Sequence, residues 1–117
     1  MEDDIKIIKS KKFAYRIIKL YQYLNGKNIE DIRRQVLRSG TSIGANIAES
    51  VFSESKIDFK HKISIALKEA NETLYWIDIL FYGEYISKNL YESIKNDCVE
   101  LILILSSIIK TIKDGND

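Results

Sequence analysis

The apolar residues Phe59, Ile63, Ala66, Ala70, Leu74, Ile77 and Phe81 recur at spacings of four and three. Only an α-helix returns such positions to one face, so this segment must run as about six turns of helix. The rest of the chain allows little else. It has no proline and only five glycines in 117 residues, too few to turn a multistranded β fold.

Three further stretches carry the same periodicity. The first, from about Ser10 to Leu24, aligns Phe13, Ile17, Leu20 and Leu24, with Ala14, Ile18 and Tyr21 alongside, and stops at Asn25-Gly26. A second begins near Ile29 and aligns Ile29, Ile32, Val36, Ile43 and Ile47. It passes without loss of phase through RSGTSIGANIAES (38–50), although a glycine inside a helix costs about 1 kcal/mol relative to alanine. Ser53-Glu54-Ser55 interrupts the pattern, and Ser55 with Asp58 reads as a variant capping box opening the third helix. After a break at 83–89, with Ser87 or Asn89 as the cap, Tyr91, Ile94, Cys98, Leu101, Leu105, Ile108 and Ile112 form the fourth seam. VELILILSSII (99–109) would suit a β-strand locally, but the seam persists for about six turns. The expected fold is all-α: a single domain over 1–117, packed as an up-down-up-down antiparallel four-helix bundle.

Several function classes find no support. His61 is the single histidine and has only Asp58 in D-x-x-H spacing, short of the paired E-x-x-H motifs of a diiron bundle. Cys98, the single cysteine, lies on the core seam without an adjacent base and reads as a small buried hydrophobe. Gly40 and Gly44 lack the G-K-[ST] of a phosphate loop. We therefore expect no enzyme activity, metal, cofactor or small-molecule substrate. MEDDIKIIKSKK has no apolar signal core, and LILILSSII (101–109) is too short to span a bilayer, so a cytoplasmic protein without membrane association is expected.

Charge is uneven. Between Ile5 and Ala48 stand ten basic residues against Glu30 and Asp31, although the net charge is +1. Lys9, Lys12, Arg16 and Lys19 form a stripe beside the apolar face of the first helix, with Tyr23 on the same side. Such a stripe suits a phosphate backbone, or it is an ordinary solvated face.

The chain also carries more apolar surface than a monomeric bundle buries. Ile65, Trp76 and Ile79 lie roughly opposite the third helix's seam, and Val99, Leu103 and Ile104 lie outside the fourth's, which predicts a homo-oligomer. Gly40, Gly44 and Ala48 then make a groove where a neighbouring helix or subunit comes close. Beside it run Arg38, Ser42, Asn46 and Glu49, either a solvated strip or part of a network. In the network reading, Arg34 and Arg38 pair with Glu69 or Glu72 of another helix or subunit.

Two long motifs, RRQVLRSGTSIGANIAES (33–50) and FKHKISIALKEANETLYW (59–76), resemble the signature of the 23S rRNA-intervening sequence proteins. The similarity extends from FAYRIIKLY (13–21) to YISKNLY (85–91), with Ser50 where glycine is usual. The resemblance implies a small antiparallel bundle assembled as a ring-like homopentamer, encoded in bacteria by inserts in large-subunit ribosomal RNA genes and elsewhere. That family is similar to the accessory variability determinants of diversity-generating retroelements, which are basic pentameric barrels that bind nucleic acid. Two functions follow as expectations: a nucleic-acid-binding accessory protein, or a protein–protein assembly scaffold.

Overall fold

A computed structural model describes residues 4–113 as four helices: α1 (Ile5–Tyr23), α2 (Glu30–Ser50), α3 (Lys56–Tyr82) and α4 (Lys88–Lys113). α1 starts five residues before the Ser10 expected from periodicity, because Asp4 caps it. Its carboxylate accepts the Lys6 backbone N–H at 3.1 Å, and Ile7 of the added turn packs on the core. The α1–α2 turn needs left-handed backbone at Gly26 (φ 83°) and Asn28 (φ 64°), which the Asn25-Gly26 stop supplies in part. Ser55 accepts the Asp58 N–H at 3.0 Å, and the Asp58 carboxylate reaches back to the Glu54 N–H at 3.2 Å. At α4 the cap is Ser87, which accepts the Leu90 N–H at 3.1 Å.

Each helix lies beside two neighbours: α1 and α3 both pack against α2 and α4, a square array around one shared core. Cross-helix contacts fix the directions. Gly40 faces Ile17 while Gly44 faces Ser10; Arg38 meets Glu69 while Glu49 meets Lys62; Ala70 meets Cys98 while Asp78 meets Tyr91. In each pair one helix ascends as the other descends, giving the up-down-up-down bundle. The α1–α4 seam is the least tightly packed of the four.

The core runs the length of the molecule. Phe13, Ile17, Leu20, Val36, Ile43, Ile47, Ile63, Ile77, Leu80, Ile94, Leu101 and Leu105 are buried, each contributing about 1.5–3 kcal/mol of transfer free energy. Small residues keep α3 close to its neighbours. The Cys98 thiol donates to the Ala70 carbonyl at 3.3 Å, and burial pushes its pKa up to about 12. Among the described residues, five buried polar ones, Ser10, Arg33, Ser39, Ser50 and Thr73, lie outside the expected seams, and three of them tie helices together. The Ser39 and Thr73 hydroxyls hydrogen-bond each other at 2.9 Å between α2 and α3. Arg33 donates from Nε to the Tyr21 carbonyl at 2.7 Å and lies over the Tyr21 ring at 3.6 Å. It thereby caps the end of α1 from α2.

Of the second-face residues, Ile65, Trp76, Ile79, Val99 and Ile104 are half-buried within the chain, while Leu103 is exposed. Other large exposed side chains include Tyr15, Tyr23, Phe52, Ile57, Tyr75 and Tyr82. Among the described residues, no helix is long and apolar enough to cross a membrane.

Candidate functional site

The Gly40–Gly44 flank is filled from within the chain. A Cβ on Gly40 would lie 2.6 Å from Ile17 Cγ1, and one on Gly44 would lie 3.3 Å from Ser10 Oγ. The glycines let α1 approach α2 and are not open to a ligand. Ala48, one turn further, is exposed and takes no part in the close approach. Beside them Asn46 donates from Nδ2 to the Ser42 carbonyl at 2.9 Å and to Ser42 Oγ at 3.1 Å.

Arg38 spans α2 and α3. Its Nη1 donates to Glu69 at 3.0 Å, its Nη2 to Glu72, and its Nε to Gln35 Oε1 at 3.0 Å. The Trp76 indole N–H donates to the same Glu72 carboxylate at 2.9 Å. Arg38 first and Trp76 second hold the Glu72 carboxyl below its usual range, and Glu72 raises the Arg38 guanidinium. Lys62 bonds Glu49 at 2.8 Å. Arg34 does not join this network. It pairs with Glu30 at 3.5 Å, one turn back along its own helix, because its own position projects to solvent.

The α1 stripe divides into two. Lys9 and Arg16 point toward α4 and are neutralised there, by Glu100 at 2.9 Å and Asp97 at 2.8 Å. Lys12 and Lys19 are exposed on the outward side. Lys12 and its neighbour Lys11 have no acidic partner among the described residues, and Lys19 lies 5.7 Å from the centre of the Tyr15 ring. Lys27, in the turn, lies 4.8 Å from the centre of the Tyr23 ring. The outward strip is thus Lys12, Tyr15, Lys19, Tyr23 and Lys27, positive charge alternating with aromatic rings. No acidic residue occurs from Ile5 to Asn28.

Sequence reasoning had not found Tyr15 or Lys27 as members of this strip, nor Asp97 and Glu100 as its partners. The helical spacing from Lys12 through Tyr15, Lys19 and Tyr23 was a usable signal for the first. The second depends on which helix lies beside α1, and periodicity does not give that. Among the described residues, no three His, Cys, Asp or Glu side chains converge as metal ligands would.

The family profile of the 23S rRNA-intervening sequence proteins matches residues 3–107. The chain belongs to that family. Its four helices all lie within or overlap the matched span, and the α2 and α3 motifs that carry the signature are the two helices joined by the Arg38–Glu69–Glu72 network. Among solved structures, the chain is similar to a protein of unknown function from the S23 ribosomal protein family of Bacteroides thetaiotaomicron. The two are 51% identical with a TM-score of 0.88, covering 91% of this chain and 99% of the other. No curated protein matches the sequence.

Proposed function

We propose that this member of the family is a non-enzymatic, homo-oligomeric accessory protein of the bacterial cytoplasm that binds RNA or DNA through the outward strip of α1. The observation that carries the reading is the strip itself: Lys12, Lys19 and Lys27 interleaved with Tyr15 and Tyr23 on a helix face without acids. Lysines of this kind neutralise phosphates and release counterions, and exposed aromatic rings suit bases. One copy offers only a few positive charges. In the ring-like pentamer implied by the family resemblance, five copies would combine into a multivalent surface and raise avidity. The exposed Leu103, Phe52 and Tyr82 supply apolar surface for such association.

A second reading rests on the pairing of Lys9, Arg16 and Arg38 with Glu100, Asp97, Glu69 and Glu72. Those charges stitch helices together, as an assembly scaffold without a nucleic-acid ligand would need. The double substitution Lys12→Glu, Lys19→Glu separates the two, since neither residue holds an inter-helix ion pair. Loss of binding to a mixed-sequence RNA with an unchanged oligomer mass supports the nucleic-acid function. Wild-type protein that binds neither RNA nor DNA at low salt leaves the scaffold.

A further inference from the structure

Between α1 and the start of α4 lies a cleft of about 280 Å³, with Leu20, Leu90 and Ile94 as its apolar floor. Tyr15 and Tyr23 stand at its two ends, 61% and 55% exposed, and Lys19 lies on its rim between them. The two tyrosines are eight residues apart on one helix, which sets them about 12 Å apart along its axis. That is too far to clamp one ring from both sides, and it makes each tyrosine a separate platform. No acidic residue lines the cleft; Arg16, which does, is paired with Asp97 at 2.8 Å, so the mouth presents Lys19, with Lys12 and Lys27 further along the same strip.

We infer that this cleft accepts unstacked bases of a single-stranded nucleic acid, with the flanking phosphates on Lys12, Lys19 and Lys27. The inference rests on the nucleic-acid function proposed above and specifies its ligand class. A duplex presents phosphates but keeps its base faces covered by their neighbours, so it would leave the tyrosines and the apolar floor unused. A single strand exposes both parts at once: π-faces for Tyr15 and Tyr23, and anionic groups for the lysines. Stacking on aromatic side chains is tolerant of sequence, as is backbone neutralisation. The ligand class is therefore a single strand bound with little sequence preference. Charge complementarity also favours a polyanion over a second copy of the same strip, whose lysines would face lysines.

The test uses the full chain and three labelled probes of equal length: oligodeoxythymidylate, an abasic phosphodiester strand and a duplex. Fluorescence anisotropy at one low salt concentration gives the affinities. The thymidylate strand should bind at least tenfold more tightly than the abasic strand and the duplex. Tyr15→Ala and Tyr23→Ala should each weaken thymidylate binding about tenfold and leave abasic binding unchanged. Both tyrosines are exposed, so the variants should keep wild-type helicity and oligomer mass. Equal binding of thymidylate and abasic strands, with silent tyrosine variants, overturns the base-binding cleft while leaving electrostatic nucleic-acid binding in place. Absence of binding to every probe at low salt overturns both. If Tyr15→Ala or Tyr23→Ala dissociates the oligomer, the face is an interface between copies and the inference fails.

Discussion

Ile17 of α1 sits so close to Gly40 of α2 that a Cβ on the glycine would meet Ile17 Cγ1 at 2.6 Å and Cγ2 at 2.8 Å. Ile17 is fully buried and β-branched, so it has no other place to go. Gly40→Ala should therefore destabilise the protein by about 1–3 kcal/mol of overpacking, less up to about 1 kcal/mol of recovered helix propensity. Gly44 faces Ser10 at 3.3–3.4 Å and is only half-buried, so Gly44→Ala should lie within about 1 kcal/mol of wild type. Urea unfolding of the two variants measures the contrast. Equal effects would mean that the α1–α2 approach is not set by Gly40.

The Glu72 carboxyl is held below its ordinary value of 4.5, first by Arg38 and then by the Trp76 indole N–H. A carboxyl depressed in the folded state stabilises the fold above its unfolded pKa and loses that contribution as pH falls through its folded value. Between neutral pH and about pH 5, wild type should exceed Glu72→Gln in thermal stability by a constant margin. Below about pH 4.5 the margin should shrink. Asp4, also lowered through Lys6, titrates in both proteins and cancels from the comparison. A margin that does not change between pH 6 and pH 3 would remove Glu72 from the acid response.

Arg33 joins two helix ends. Its Nε donates to the Tyr21 carbonyl in the last turn of α1, and its Nη1 donates to both Glu30 carboxylate oxygens at 3.0 Å. Carbonyls in a helix's last turn have no partner within the helix, and a hydrogen bond to a charged group contributes about 1.5–3 kcal/mol. Arg33→Met should cost about that much in chemical denaturation. Arg33→Lys should recover less than half of it, because an ammonium cannot bond in the plane of the guanidinium while lying over the Tyr21 ring. Full recovery by lysine would show that charge alone matters at this position.

The helices and their order were legible in the sequence because periodicity, the Asn25-Gly26 stop and the Ser55 cap are local signals. The early start of α1 was not, since Asp4 lies in a charged stretch and the seam of Phe13, continued backward, falls on the polar Ser10 and Lys6 and not on the isoleucines of the added turn. Arg33, Ser39 and Thr73 escaped notice as core residues because each is buried by a partner on another helix and not by its own hydrophobicity. The α1 strip was half legible. Spacing placed Lys9, Lys12, Arg16 and Lys19 near one face, but only the packing of α4 shows that Glu100 and Asp97 take two of them. The same packing creates the cleft beneath Tyr15 and Tyr23.

The central claim is that α1 binds nucleic acid by neutralising phosphates. It is tested most directly by measuring the affinity of the protein for a single-stranded RNA as monovalent salt rises from about 50 to 200 mM. The expected result is a linear fall of log affinity with log salt, at about 0.7 per phosphate contacted, with a shallower slope for Lys12→Glu, Lys19→Glu. Tight binding that does not change with salt, or a slope that the double variant leaves intact, would contradict it.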